Sequence, residues 1–127
     1  MINILIAEDN KTTYTILKNY INKYFLTEED VDFTVDIAHN GQIALDMVQK
    51  KTYDILFLDI VMPKVDGFEF LDFLKSYDIK YPYICVTTAL WEDNYEDILT
   101  KKGASSWVIK PYNKKTIFIE LDKFFKK

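Results

Sequence analysis

Five short apolar runs punctuate the chain, and between them apolar residues recur at helical spacing. The runs Ile2–Ala7, Phe33–Ala38, Ile55–Asp59, Tyr83–Thr87 and Ser106–Ile109 are too short for helices and predict strands. Most are continuously apolar, as strands covered on both faces are; residues 33–38 alternate instead and read as an edge strand. In the first intervening segment Ile16, Leu17, Tyr20, Ile21, Tyr24 and Phe25 share one helix face, with Asn10 as its N-cap. A second helix carries Ile43, Ala44, Met47 and Val48, and a third Phe70, Leu71 and Leu74. The fourth presents Tyr95, Ile98 and Leu99. Lys101 and Lys102 complement the dipole at its end, and Gly103 supplies the left-handed stop. The last starts near Asn113 and buries Ile117, Phe118, Leu121 and Phe124.

Regular alternation of strand and helix predicts an α/β fold, a doubly wound five-stranded parallel sheet with helices on both faces. The length of 127 residues predicts one domain, 1–127. Right-handed crossovers and one chain reversal favour the strand order 2-1-3-4-5, by analogy with flavodoxin-like sheets. In such sheets function gathers beyond the carboxyl ends of the strands.

Polar residues interrupt the apolar runs at that edge. Glu8 and Asp9 end the first strand, Asp59 the third, Thr87 and Thr88 the fourth, and Lys110 follows the fifth. At an effective dielectric of about 20, two like charges about 4 Å apart repel by about 4 kcal/mol. Three converging carboxylates therefore need cations. Lys110 is one, and a hard divalent cation with oxygen ligands, Mg²⁺, is the natural other. Asp9 and Asp59 would ligate it directly and Glu8 through water. Beside a cation Asp59 can act as a nucleophile towards phosphorus, forming an acyl phosphate. Lys110 would stabilise charge on the transferring oxygens, and a hydroxyl at the end of the fourth strand would hydrogen-bond the new phosphoryl group.

The stretch Leu58-Asp59-Ile60-Val61-Met62-Pro63-Lys64-Val65-Asp66-Gly67 resembles the D-x-x-M-P-x-x-D-G segment of bacterial response-regulator receiver domains. Glu8-Asp9, Asn40-Gly41 and Lys110-Pro111 fall where that family has its acidic pair, a helix-opening glycine and its Lys-Pro, a bond usually cis there. The resemblance spans essentially the whole chain and implies a chemotaxis-regulator-like, single-domain receiver. It implies that Asp59 takes its phosphoryl group from a sensor histidine kinase or a histidine phosphotransfer protein. Asp9, Asp59 and the Val61 carbonyl would hold Mg²⁺, and Lys110 would pair with the phosphoryl group.

Two spacings compete for the switch hydroxyl. Five residues after Pro82 stands Thr87; Thr88 precedes Ala89 and lies 22 residues before Lys110, and this second match carries more weight. Trp107, three residues before Lys110, occupies the place of the family's switch aromatic, usually Tyr or Phe. Val61 and Leu90 are apolar where the family tunes phosphoryl lifetime, which predicts a long-lived aspartyl phosphate. The face near Trp91, Tyr95, Trp107 and Tyr112 is expected to bind a downstream protein. Helix 1 is where the family docks its phosphodonor.

Composition narrows the alternatives. With 49% hydrophobic and 16% aromatic residues the chain is not disordered. Net charge is −4, and all 16 basic residues are Lys, so no guanidinium can grip phosphate or guanine bidentately, and direct nucleic-acid binding is not expected. The lone Cys85 sits in an apolar run and reads as a packed thiol. No apolar stretch is long enough to insert in a membrane, and Glu8 and Asp9 come too soon for a signal peptide, so a cytoplasmic protein is expected. His39 reads as an exposed turn residue, and Lys114, Lys115 and Lys127 as a solvated helix face. An aspartate-nucleophile phosphohydrolase commonly carries a second acid two residues after its nucleophile, where this chain has Val61. A flavodoxin-like electron carrier needs a phosphate loop rich in Ser, Thr and Gly, where Glu8-Asp9 would repel phosphate. A regulatory phosphoacceptor rather than a dedicated enzyme is the expectation, either complete or cut from a longer protein.

Overall fold

The computed structural model describes residues 1–28, 31–77, 79 and 82–125; Lys127 lies outside them. The elements run β1 (Ile2–Ala7), α1 (Lys11–Leu26), β2 (Phe33–Ala38), α2 (Gly41–Lys50), β3 (Ile55–Asp59), α3 (Gly67–Ser76), β4 (Tyr83–Thr88), α4 (Tyr95–Lys101), β5 (Ser106–Ile109) and α5 (Lys114–Phe125). All strand pairings are parallel, in the expected order β2-β1-β3-β4-β5. β4 runs one residue beyond the apolar run, because Thr88 still pairs with Ile109 and its carbonyl accepts from the Lys110 N–H at 2.7 Å.

Alternate strand residues feed two cores. Leu56, Leu58, Ile84 and Val86 pack under α2, α3 and Leu99 of α4, while Ile55, Phe57, Cys85 and Val108 pack under α1 and α5. The central strands are buried on both faces; β2, at the edge, is mostly half-buried, as its alternation predicts. The helix faces follow the spacing with local exceptions. Ile16 and Ile43 lie at the exposed rim, only Leu99 of α4 is fully buried, and Phe118 and Phe124 of α5 are half-buried.

Caps set where the helices begin. Asn10, Asn40 and Asn113 accept hydrogen bonds from the N–H groups of Thr13, Ile43 and Thr116 at 3.0, 2.8 and 2.8 Å. Asp66 and Glu69 form a reciprocal capping box at α3. Two glycines permit close approach around the segment after β3. A Cβ on Gly41 would lie 1.8 Å from the Val65 carbonyl oxygen, and one on Gly67 would lie 2.7 Å from that of Asp59. Gly103, with φ 98°, provides the predicted stop after α4. The Lys110-Pro111 bond is cis.

Candidate functional site

Four strand ends deliver the site. The Glu8 N–H donates to the Ala38 carbonyl at 3.0 Å, which keeps the residue after β1 on the sheet and turns its side chain inwards, 1% exposed. Asp59 closes β3 in register with Thr87 and is 5% exposed. The Gly67 N–H donates to Ile60 at 2.7 Å, folding the following segment back over the strand end. Lys110 is set by its backbone bond to β4 and reaches across two strands.

There its ammonium group meets both buried carboxylates, Glu8 Oε1 and, at 3.1 Å, Asp59 Oδ2. Each carboxylate has a further donor. Asn10 N–H points to Glu8 Oε2 at 3.3 Å, and Val61 N–H to Asp59 Oδ1 at 3.2 Å. Burial pushes the Glu8 carboxyl above its usual range; Lys110 opposes that, and neighbouring Asp59 adds to it. The sequence paired Lys110 with a phosphoryl group and Glu8 with water at the metal. It also set Lys110 against the three converging carboxylates; the direct contact of Lys110 with Glu8 is what the fold adds, by bringing residues so distant in the chain together.

Asp9 completes the acidic group. Glu8, Asp9 and Asp59 each present an oxygen within 4.8 Å of the others, with Asp9 open to solvent. An all-oxygen carboxylate set with one Lys cation against three negative charges fits a hard divalent ion and suits neither a soft metal nor an anion. The cleft above is bounded by Thr13, Ala89 and the side chains of Val61 and Leu90, which are 67% and 69% exposed.

The two threonines face opposite ways. Thr87 shares the sheet face of Asp59 and lies beside the Tyr112 phenol, whose pKa burial raises while the Thr87 hydroxyl opposes the shift. Thr88 instead donates its hydroxyl proton to the Leu90 carbonyl at 2.7 Å and accepts from the Leu90 N–H at 3.1 Å. Both are buried. Trp107 is half-buried and stacks on Trp91, ring centres 5.7 Å apart. That stack was missed in the sequence, although these are the chain's two tryptophans. Cys85 is fully buried, and burial raises its thiol pKa. His39 is exposed, its ring 5.5 Å from that of Tyr14.

A family model described as the response regulator receiver domain matches residues 4–122. The chain belongs to the response regulator receiver domain family. Among solved structures, this receiver domain is similar to the signal receiver domain of a DNA-binding response regulator from Colwellia psychrerythraea 34H (23% identity, all of both chains, TM-score 0.86). It is also similar to a two-component response regulator from Clostridium difficile (21%, covering 100% of this chain and 98% of that one, TM-score 0.85) and to the chemotaxis protein CheY4 of Vibrio cholerae (23%, 98% and 99%, TM-score 0.82). At these identities the likeness is one of fold. A receiver domain is a regulatory domain rather than a dedicated enzyme, and receiver domains typically use Mg²⁺ at an acidic pocket such as this one. No helix among the described residues is long and apolar enough to cross a membrane.

Proposed function

We propose that the domain is the phosphoacceptor switch of a two-component phosphorelay, with Asp59 as the residue modified. The observation that carries this reading is the Lys110 ammonium group held between Glu8 and Asp59 at the mouth of the three-carboxylate cleft. One Asp59 oxygen attacks the phosphorus of a phosphohistidine on a sensor kinase or histidine phosphotransfer protein. The new O–P bond replaces the P–N bond, and the imidazole leaves with the electron pair. Asp59 suits the role because the Val61 N–H and Lys110 fix its carboxylate plane before transfer.

Asp9, Asp59 and the Val61 carbonyl are the candidates to hold Mg²⁺ directly, and Glu8 through water. Bound there, the ion supplies positive charge to the phosphoryl oxygens. Lys110 contributes a second positive charge from the other side and exchanges its Asp59 contact for the incoming group. Thr88 is the favoured hydroxyl to meet the phosphoryl oxygen, with Thr87 the alternative. The added charge of about −1.5 to −2 then draws the segment after β4 inwards and shifts the α4–β5–α5 face, Trp107 included, which controls a downstream protein.

Incubation with acetyl phosphate and Mg²⁺, followed by intact mass, tests the reading. Wild type should gain one phosphoryl group and Asp59→Asn none; equal modification of both proteins would reject it.

A further inference from the structure

The Thr88 hydroxyl carries one proton, and the Leu90 carbonyl holds it at 2.7 Å. Thr88 can therefore donate to another acceptor only if the Leu90 backbone lets go. The Leu90 side chain is mostly exposed, at the mouth of the cleft. The next residue is anchored. Trp91 stacks on Trp107 of β5 at 5.7 Å and 30° and meets Tyr95 of α4 edge-on at 5.5 Å and 81°. Tyr95 in turn meets Phe68 of α3 at 5.5 Å and 74°. All four rings pack half-buried against the core beneath α2, α3 and α4. Asn94, at the N-cap position of α4, makes no side-chain capping bond, and ring packing, with the two Thr88–Leu90 hydrogen bonds, ties this end of the helix and the residues before it to the domain.

We propose that Trp91 is a positioning residue of the switch: stacked on Trp107, it holds the Leu90 backbone against the Thr88 hydroxyl, and it must unstack for Thr88 to reach a phosphorylated Asp59. This inference rests on the phosphoacceptor reading above. It adds that Trp107 moves with a second ring rather than alone, and that the stack sets how strongly the resting state is favoured. The coupling is reciprocal: a stack formed only in the resting state opposes phosphoryl binding by the factor it contributes. An aromatic pair of this kind corresponds to about 2- to 12-fold in an equilibrium constant.

The test uses beryllofluoride, a phosphoryl mimic, with Mg²⁺, its binding read by fluorine NMR so that tryptophan loss does not blind the assay. Trp91→Ala should bind it about 2- to 12-fold more tightly than wild type, and Trp91→Phe, which keeps a stacking ring, should stay near wild type. In a Thr88→Val background the Trp91→Ala gain should vanish, whereas in Thr87→Val it should persist. Wild-type tryptophan emission should also change in step with the fraction phosphorylated by acetyl phosphate and remain constant in Asp59→Asn. Unchanged or weaker beryllofluoride binding by Trp91→Ala, with a lower melting temperature, would reduce Trp91 to a packing residue and overturn the inference. So would a wild-type protein that phosphorylates without any change in emission, and this outcome leaves the phosphoacceptor reading standing. Absence of phosphorylation in wild type would instead remove that reading and the inference with it.

Discussion

Lys110 neutralises two carboxylates that the fold has taken out of water, and burial raises the pKa of Glu8. Because burial raises the Glu8 pKa, the folded chain binds its proton more tightly than the unfolded chain does. Stability linked to Glu8 is then fullest below the ordinary glutamate pKa and declines as pH rises through the folded value. Glu8→Gln should raise the melting temperature of metal-free protein at neutral pH, with the gain shrinking at acidic pH, while weakening Mg²⁺ binding; a lower neutral-pH melting temperature would contradict this. Val61 and Leu90 carry the second residue-scale prediction. Their exposed apolar side chains at the cleft mouth cannot orient an attacking water. A Glu at either position should speed loss of the phosphoryl group by up to about 10²-fold, the lower end of what a positioned proton acceptor contributes. Slower or unchanged loss in both variants would count against it. Asp59 and Lys110 were legible because short motifs surround them. The engagement of Thr88 by Leu90 was not, since it depends on backbone geometry after β4 that no spacing encodes.

At the scale of elements, α5 is tied to the sheet by a buried acid. Glu120 accepts hydrogen bonds from Ser106, from Lys123 at 2.8 Å and from the Tyr83 hydroxyl at 3.4 Å. Glu120→Ala strands the Ser106 hydroxyl proton near the base of β4 and β5, while the Tyr83 hydroxyl keeps Ser106 as an acceptor at 3.2 Å, and should lower stability by about 1–3 kcal/mol in urea unfolding without altering phosphorylation. A neutral effect on stability would show that water replaces the carboxylate. Helical spacing named Ile117 and Leu121 as the buried face of α5 but passed over Glu120, because a charged residue beside them reads as solvent-facing until Ser106 is known to lie opposite. The α4 face follows the spacing, with Tyr95, Ile98 and Leu99 as its least exposed residues. Tyr95 and Ile98 are half-buried since α4 is only a 7-residue helix over the sheet margin. Strand ends were clearer, because four of the five apolar runs stop at, or one residue before, a residue that enters the site; only β4 ran on, through the Thr88–Ile109 pair.

Over the whole molecule, alternation of period carried the sheet and its helices directly, while the strand order needed the analogy with known parallel sheets. The same order brings Leu90, Trp91, Trp107 and Ile109 to one side, where Leu90 and Ile109 are exposed, and the chain that follows Trp91 carries the exposed acids Glu92, Asp93, Glu96 and Asp97. A downstream protein that docks here should present an apolar anchor among basic residues, and its binding should weaken as salt rises. Ala substitution of Leu90 and Ile109 should weaken partner binding while leaving Asp59 modification intact; undiminished binding would place the output surface elsewhere.

In the function proposed above, Lys110 and a metal ion together leave Asp59 able to capture phosphorus. Acetyl phosphate treatment followed by borohydride reduction, which converts an acyl phosphate to an alcohol, and peptide mass mapping tests it most directly. A reduced residue is expected at position 59 alone, dependent on Mg²⁺ and strongly diminished in Lys110→Ala. Reduction at Glu8 or Asp9 instead, or none at position 59 with Mg²⁺ present, would contradict it.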